Sequence, residues 1–182
     1  MCAENLFILT GSPGTGKTAI LAELASGFRC VAEPAREILA EQRSTGGAGT
    51  PDRDPSLFMD LLLRRSIDKY EAARRLGEPA VFDRGIPDCI AYAARLGLDP
   101  MPSIVASKRY RYNAEVLVLE PWEDIYSIDE ERTMSFKDTV EFHAAIKDAF
   151  ELAGYALVEV PRDSVENRAG FVRHFITQRG YR

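Results

Sequence analysis

The chain has 182 residues, 46% of them apolar and 28% charged, which fits a single globular domain over residues 1–182 and leaves no room for a second large one. A net charge of −5 argues against binding nucleic acid through bulk positive potential, so the expected partners are small molecules. No apolar run approaches ~18 residues and the N-terminus lacks a basic, apolar, cleavable pattern, so the expectation is no membrane span, no signal peptide and a cytoplasmic location.

The first apolar run, Leu6 to Thr10, reads as a strand and passes straight into Gly11-Ser12-Pro13-Gly14-Thr15-Gly16-Lys17-Thr18. That octet matches G-x-x-x-x-G-K-[ST] at every position. It stands where a phosphate-binding P-loop belongs, between a buried strand and a helix, here Lys17 to Ser26 with Gly27 at its stop. Glycines let successive backbone N–H groups wrap a polyphosphate, and the helix adds the positive end of its dipole. Lys17 is expected to reach the β and γ phosphates, and the Thr18 hydroxyl to ligate Mg²⁺.

Phe28 to Ala32 reads as a second short strand ending at Glu33-Pro34, and a helix from Ala35 to Gln42 follows. Arg43 to Pro55, rich in glycine and proline, reads as a loop. Apolar spacing makes Ser56 to Leu76 a helix closed by Gly77, and Pro79 to Phe82 a third strand ended by Asp83-Arg84-Gly85. Ile86 to Leu96 and Ser103 to Tyr112 read as helices separated by Pro100 and Pro102. Glu115 to Leu119 is a fourth strand, and residues 120–135 read as irregular. Phe136 to Ala153 is an amphipathic helix, Tyr155 to Val160 the fifth strand, and Ser164 caps a last helix with Val165, Ala169, Val172 and Ile176 on one stripe. Strands alternating with helices predict an α/β fold: a three-layer α-β-α P-loop NTPase with a five-stranded parallel sheet.

Such sheets bind ligands at the carboxyl ends of their strands, which brings the P-loop, Glu33 and Asp83-Arg84 to one edge. Phosphoryl transfer to a hydroxyl needs a carboxylate to accept the proton, another beside the metal, and an arginine to offset charge. Glu33 is the candidate base and Asp83 the candidate Mg²⁺-side carboxylate, roles that can be exchanged, with Arg84 beside them. Glu120 is a rival acidic strand end, followed at once by Pro121 and Trp122. Pro161 and Arg162, before the last helix, lie where this fold class borders the nucleotide base. Arg65 interrupts an apolar helix face and reads as a snorkelling surface arginine, with a grip on an acceptor anion as the alternative. Lys108, Arg109 and Arg111 sit where a helix C-terminus favours cations. His143 and His174 show no partner suggestive of catalysis or metal, and the widely spaced Cys2, Cys30 and Cys89 suggest neither a disulfide framework nor a zinc site.

Taken in order, GSPGTGKT, Glu33-Pro34, Asp83-Arg84-Gly85, and Pro121-Trp122 through Asp129-Glu130-Glu131-Arg132 resemble a P-loop ATPase/kinase family. That family includes the kinase domain of the bifunctional nicotinamide-ribosyl regulator and the TRPL translocation defect protein. More distantly, the acid-Arg pair and the Glu-Pro resemble deoxynucleoside kinases. The resemblance implies a nucleoside or nucleotide kinase-like fold with a short lid at about residues 121–135, and ATP (or GTP) with Mg²⁺. It also implies Glu33 as base, Asp83 as metal-side acid, Arg84 as substrate-orienting arginine and Arg132 as a lid cation. Here Asp precedes the arginine instead of Glu, and Gly85 replaces the serine of deoxynucleoside kinases.

Two functions follow from these residues. One is a small-molecule kinase passing the γ-phosphate to a nucleoside-like or nucleotide-like hydroxyl, with Lys17, Glu33, Asp83, Arg84 and Arg132 as its catalytic set. The other is a regulator that binds ATP or GTP and signals to a protein or lipid partner, with slow hydrolysis or none. A Ras-like GTPase would show N-K-x-D, which is absent, and an AAA+ motor would need a helical domain after the core.

Overall fold

The computed structural model describes residues 4–126 and 134–181. Strands β1 (Leu6–Thr10), β2 (Arg29–Val31), β3 (Ala80–Asp83), β4 (Glu115–Leu119) and β5 (Ala156–Val160) are all parallel, in the order β2-β3-β1-β4-β5. Between and after them run α1 (Lys17–Leu24), α2 (Pro34–Thr45), α3 (Pro55–Leu76), α4 (Asp88–Arg95), α5 (Met101–Arg109), α6 (Phe136–Leu152) and α7 (Val165–Thr177). This is the five-stranded parallel α/β fold that the alternating pattern predicts.

Strand β1 is central and buried at every residue, which explains its unbroken apolar run. The pleat sends Leu6 and Ile8 to one face, against Tyr70, Phe82, Tyr112, Phe142 and Phe150. Phe7 and Leu9 face the other way, onto Ile20 and Leu24 of α1 and Val172 and Ile176 of α7. A third cluster joins α2, α3 and α4 through Ile38, Phe58, Leu62 and Ala93. No helix among the described residues is long and apolar enough to cross a membrane.

Several boundaries differ from the sequence reading for local reasons. Helix α2 runs on to Thr45, into the expected loop, until Gly46 turns left-handed at φ 68°. Helix α4 begins at Asp88, after Pro87, two residues later than expected. Helix α5 begins at Met101 because Pro102 fits a first turn, where no backbone donor is needed. Within the expected irregular stretch, Glu123–Ile125 forms one 3-10 turn. Ser164 caps α7 as expected, its side chain accepting from the Asn167 amide, and Ser135 caps α6 in a reciprocal box with Asp138.

Register positions the functional edge. Leu9 pairs with Asp83 on one side and Leu117 on the other, while Val31 pairs with Phe82. The chain therefore leaves β1, β2, β3 and β4 on the same side of the molecule.

Candidate active site

The P-loop forms as its glycines require. Gly11, Gly14 and Gly16 have φ of 138°, 81° and 87°. A Cβ on Gly11 would stand 2.4 Å from the Leu119 carbonyl oxygen, so the loop lies directly against the end of β4. Lys17 is 5% exposed and curls into the ring, its Nζ donating to the Gly11 and Ser12 carbonyls at 2.8 Å each. Burial and the nearby Arg84 cation lower its pKa to about 7, against the pull of Asp83, Glu33 and Asp88. Thr18 sits exposed in the first turn of α1.

Beside the loop, β2 and β3 deliver a buried chain of charges. Arg84 follows β3 with φ 68°, an uncommon conformation for a residue with a side chain. Its Nε donates to Glu33 Oε1 at 2.7 Å and its Nη1 to Asp88 Oδ1 at 3.1 Å. Asp88 also accepts from the Thr10 hydroxyl at 2.6 Å and from the Gly85 amide at 2.8 Å. Glu33 has a second cation in Arg36, whose Nε donates at 3.0 Å. Burial alone would raise the Glu33 carboxyl, but Arg84, Lys17 and Arg36 outweigh it and hold it below the usual range. Asp83 goes the other way: burial raises it, and Lys17 only partly offsets that.

Asp83 Oδ1 and Ser12 Oγ are buried with no hydrogen-bond partner among the described residues. An orphaned carboxylate oxygen beside the P-loop fits a cation or its water shell. Among the described residues no group of three or more His, Cys, Asp or Glu could hold a metal. Asp83, with its orphaned oxygen, and the exposed Thr18 hydroxyl are the groups at this edge whose chemistry fits a hard cation. Glu33, Ala35, Leu62, Ser66, Arg84 and Tyr92 line a narrow recess between α2, α3 and α4, opening beside the Glu33–Arg84 pair.

The structure brings Lys17, Glu33, Asp83 and Arg84 together, whereas Arg132 lies outside the described residues. Pro161 and Arg162 are exposed after β5, and Arg162 Nη2 donates to the Pro121 carbonyl at 2.7 Å, tying that loop to the end of β4. Glu120 is occupied by Lys147 Nζ at 3.2 Å and lies 3.1 Å from His143 Nε2, so His143 has the acidic neighbour that sequence did not reveal. Arg65 bridges Glu41 at 2.8 Å and Glu37 at 3.5 Å on α2, which is the snorkelling arrangement. Arg111 donates to the Ala153 carbonyl and covers the Tyr155 ring, a structural use of that basic stretch.

Sequence reasoning missed Asp88, Thr10 and Arg168. Asp88 stands four residues after Arg84, but Arg84 lies before α4 at φ 68°, so no helical spacing signals the contact. Arg168 interrupts the apolar stripe of α7 one residue before Ala169, and its Nη2 donates to the Thr15 carbonyl at 2.7 Å.

Many solved structures resemble this chain, three of them as follows. Deoxyadenosine kinase from M. mycoides, solved with the products dCMP and a flexible dCDP, has a TM-score of 0.62 at 15% identity, covering 95% of this chain and 99% of that one. NadR in complex with NR has a TM-score of 0.66 at 19% identity, covering 94% of this chain and 51% of that one. Thymidylate kinase from Ehrlichia chaffeensis has a TM-score of 0.57 at 14% identity, covering 94% and 97%. No curated protein matches the sequence. The AAA domain profile matches residues 6–168, from β1 through the P-loop to Arg168, and the chain belongs to this AAA domain family of P-loop nucleotide-binding proteins.

Proposed function

We propose that the protein is an ATP-dependent kinase, with GTP as the alternative donor, that passes the γ-phosphate to a hydroxyl of a small nucleoside-like or nucleotide-like acceptor. The observation that carries this is the buried Glu33–Arg84–Asp88 chain on the β2–β3 side of the P-loop. Glu33 and Arg84 stand on the side of the P-loop where phosphoryl transfer to a hydroxyl calls for a carboxylate and a guanidinium.

In this reading the P-loop amides and Lys17 hold the β and γ phosphates. Thr18 and Asp83 would hold Mg²⁺, which would supply charge neutralisation at the phosphates. Glu33 accepts the proton of the acceptor hydroxyl, and Arg84 orients the acceptor while offsetting negative charge. Arg132 belongs to the same set on the strength of the resemblance alone, and Pro161 and Arg162 to the nucleotide side.

The second reading, a nucleotide-binding regulator, has one observation in its favour. Glu33 is held below the usual carboxylate range by Arg84, Lys17 and Arg36 and is a weak base in this arrangement.

The structural neighbours supply the acceptor panel: deoxyadenosine, thymidylate and NR. ADP and GDP release is measured with each, with Mg²⁺ and either triphosphate. The kinase reading expects one acceptor to raise release sharply and to appear phosphorylated, and Glu33→Gln to cut transfer about 10²-fold or more while nucleotide still binds. Binding without stimulated turnover by any acceptor moves the regulator reading ahead.

A further inference from the structure

Glu33 is 9% exposed and stands where regular backbone pairing stops. The β2–β3 ladder ends with Val31 opposite Phe82, and α2 begins at Pro34. Glu33 is the N-cap residue of α2, at φ −58° and ψ 118°, yet its carboxylate goes to Arg84 and Arg36 and caps no amide of the helix. Of these two cations, Arg36 rides on α2 itself, so it moves with Glu33 and cannot fix it against the sheet. Packing behind the junction is open: a cavity of about 340 Å³ lies between Val31 and Ala32 on one wall and Ala72 and Ala73 of α3 on the other.

Lys69 spans that gap. Its Nζ reaches from α3 to the Ala32 carbonyl at 2.9 Å and to Glu37 Oε1 at 2.6 Å, with the side chain 18% exposed. Ala32 immediately precedes Glu33, and Glu37 lies one helical turn after it, so a single ammonium holds the chain on both sides of the carboxylate. Both bonds are charge-assisted, and the one to Ala32 engages a carbonyl that lies beyond the strand. Arg65, one turn earlier on α3, reaches Glu37 and Glu41 further into α2.

We infer that Lys69 is a positioning residue for Glu33. By tying the Ala32 carbonyl and the first turn of α2 to α3, it keeps the Glu33 carboxylate in place on Arg84. A base has to stay within hydrogen-bond reach of its proton, and a displacement of about 1 Å can cost about 10²-fold in rate. That consequence for transfer rests on the proposed function, whereas the placement of the Glu33–Arg84 pair does not.

The Nε–H that Arg84 donates to Glu33 is followed by NMR in the full chain, and its exchange with water reports on the pair without any turnover. Lys69→Met is expected to raise that exchange about tenfold, and Lys69→Arg to restore it to within about twofold of wild type. Arg65→Met removes the neighbouring bridges to α2 and should stay within about twofold, which separates positioning from a general loosening of the helix. With a phosphorylated acceptor in hand, Lys69→Met should lower kcat about tenfold while the KM for the triphosphate stays within about twofold. Unchanged Arg84 exchange in Lys69→Met overturns the proposal, as does an equal rise in Arg65→Met or an unchanged kcat. Should Lys69→Met melt below the assay temperature, Lys69→Gln, shorter and uncharged, decides by the same comparison. Failure of every acceptor to be phosphorylated sinks the kinase reading and leaves the exchange result to decide this one.

Discussion

Arg84 donates to Glu33 at 2.7 Å across 51 positions of sequence, with the two side chains 5% and 9% exposed. The pair joins the ends of β2 and β3, and it holds Arg84 in a left-handed conformation that its side chain does not favour. Two ions out of water are tolerated because each has further partners: Arg36 on Glu33, and Asp88 on Arg84.

Removing one member of this pair should cost more than removing both. Glu33→Leu leaves Arg84 buried with Asp88 as its remaining ion-pair partner among the described residues and is expected to lower stability by about 3–5 kcal/mol. Glu33→Leu with Arg84→Met should recover a large part of that loss. Urea unfolding of the two single variants and the double variant measures the coupling, and strict additivity would show that the pair does not act as a unit.

Asp88 holds three donors at once, so Asp88→Ala orphans the Thr10 hydroxyl and the Gly85 amide and frees Arg84 Nη1. A loss of about 3 kcal/mol is expected, since each buried group left unpaired costs about 1–3 kcal/mol. Asp88→Asn keeps the shape but loses the charge beside Arg84, and its melting temperature should fall less than that of Asp88→Ala. Equal melting temperatures for the two variants would refute the orphaned-donor argument and leave the lost charge as the whole cost.

The His143–Glu120 contact predicts a pH response. His143 is 4% exposed and burial lowers its pKa from 6.5, although Glu120 pulls the other way. The unfolded chain therefore takes up a proton before the folded one does. The stability from burying neutral His143 is complete above 6.5 and is lost as pH falls through the folded value. Glu120 adds to the loss further down: burial opposes ionisation, but His143 and Lys147 hold it below 4.5. Between about pH 7.5 and about pH 5 the wild-type urea midpoint should drop, and the drop should be smaller in His143→Gln. A wild-type midpoint flat across that range would count against the assignment.

Gly11 is the glycine with least freedom to change. Gly11→Ala puts a methyl group 2.4 Å from the Leu119 carbonyl oxygen at φ 138°, where the neighbour is backbone and cannot step aside cheaply. Backbone strain alone should cost about 1–3 kcal/mol, and nucleotide binding should fall with it. By contrast Gly27→Ala meets nothing within 4 Å and should leave both unchanged. Melting curves with and without Mg·ADP compare the two.

Much of the fold was legible because its signals are local. The buried run Leu6 to Leu9 needs no partner to be recognised as a strand, and the glycine spacing of Gly11 to Thr18 specifies a phosphate loop from within eight residues. Periodicity likewise marks α3, α6 and α7, and capping chemistry marks Ser164. The boundaries that moved, at α2, α4 and α5, are places where a proline or glycine permits two starts or stops and tertiary packing chooses between them.

The sequence by itself determined the strands, the loop and which strand ends carry acids. It left undetermined which charges meet, because the Thr10–Asp88 bond spans 78 positions and the Arg168–Thr15 bond 153. Such pairs depend on the strand order β2-β3-β1-β4-β5 and on the register that seats Asp83 beside Leu9. Tertiary structure alone decided that Glu33 shares Arg84 and Arg36, that Glu120 turns to His143 and Lys147, and that a buried arginine on the last helix reaches the P-loop. The physical reason is that a charge is stabilised by whatever lies within a few ångströms of it, and in a parallel sheet with crossover helices those neighbours come from distant parts of the chain.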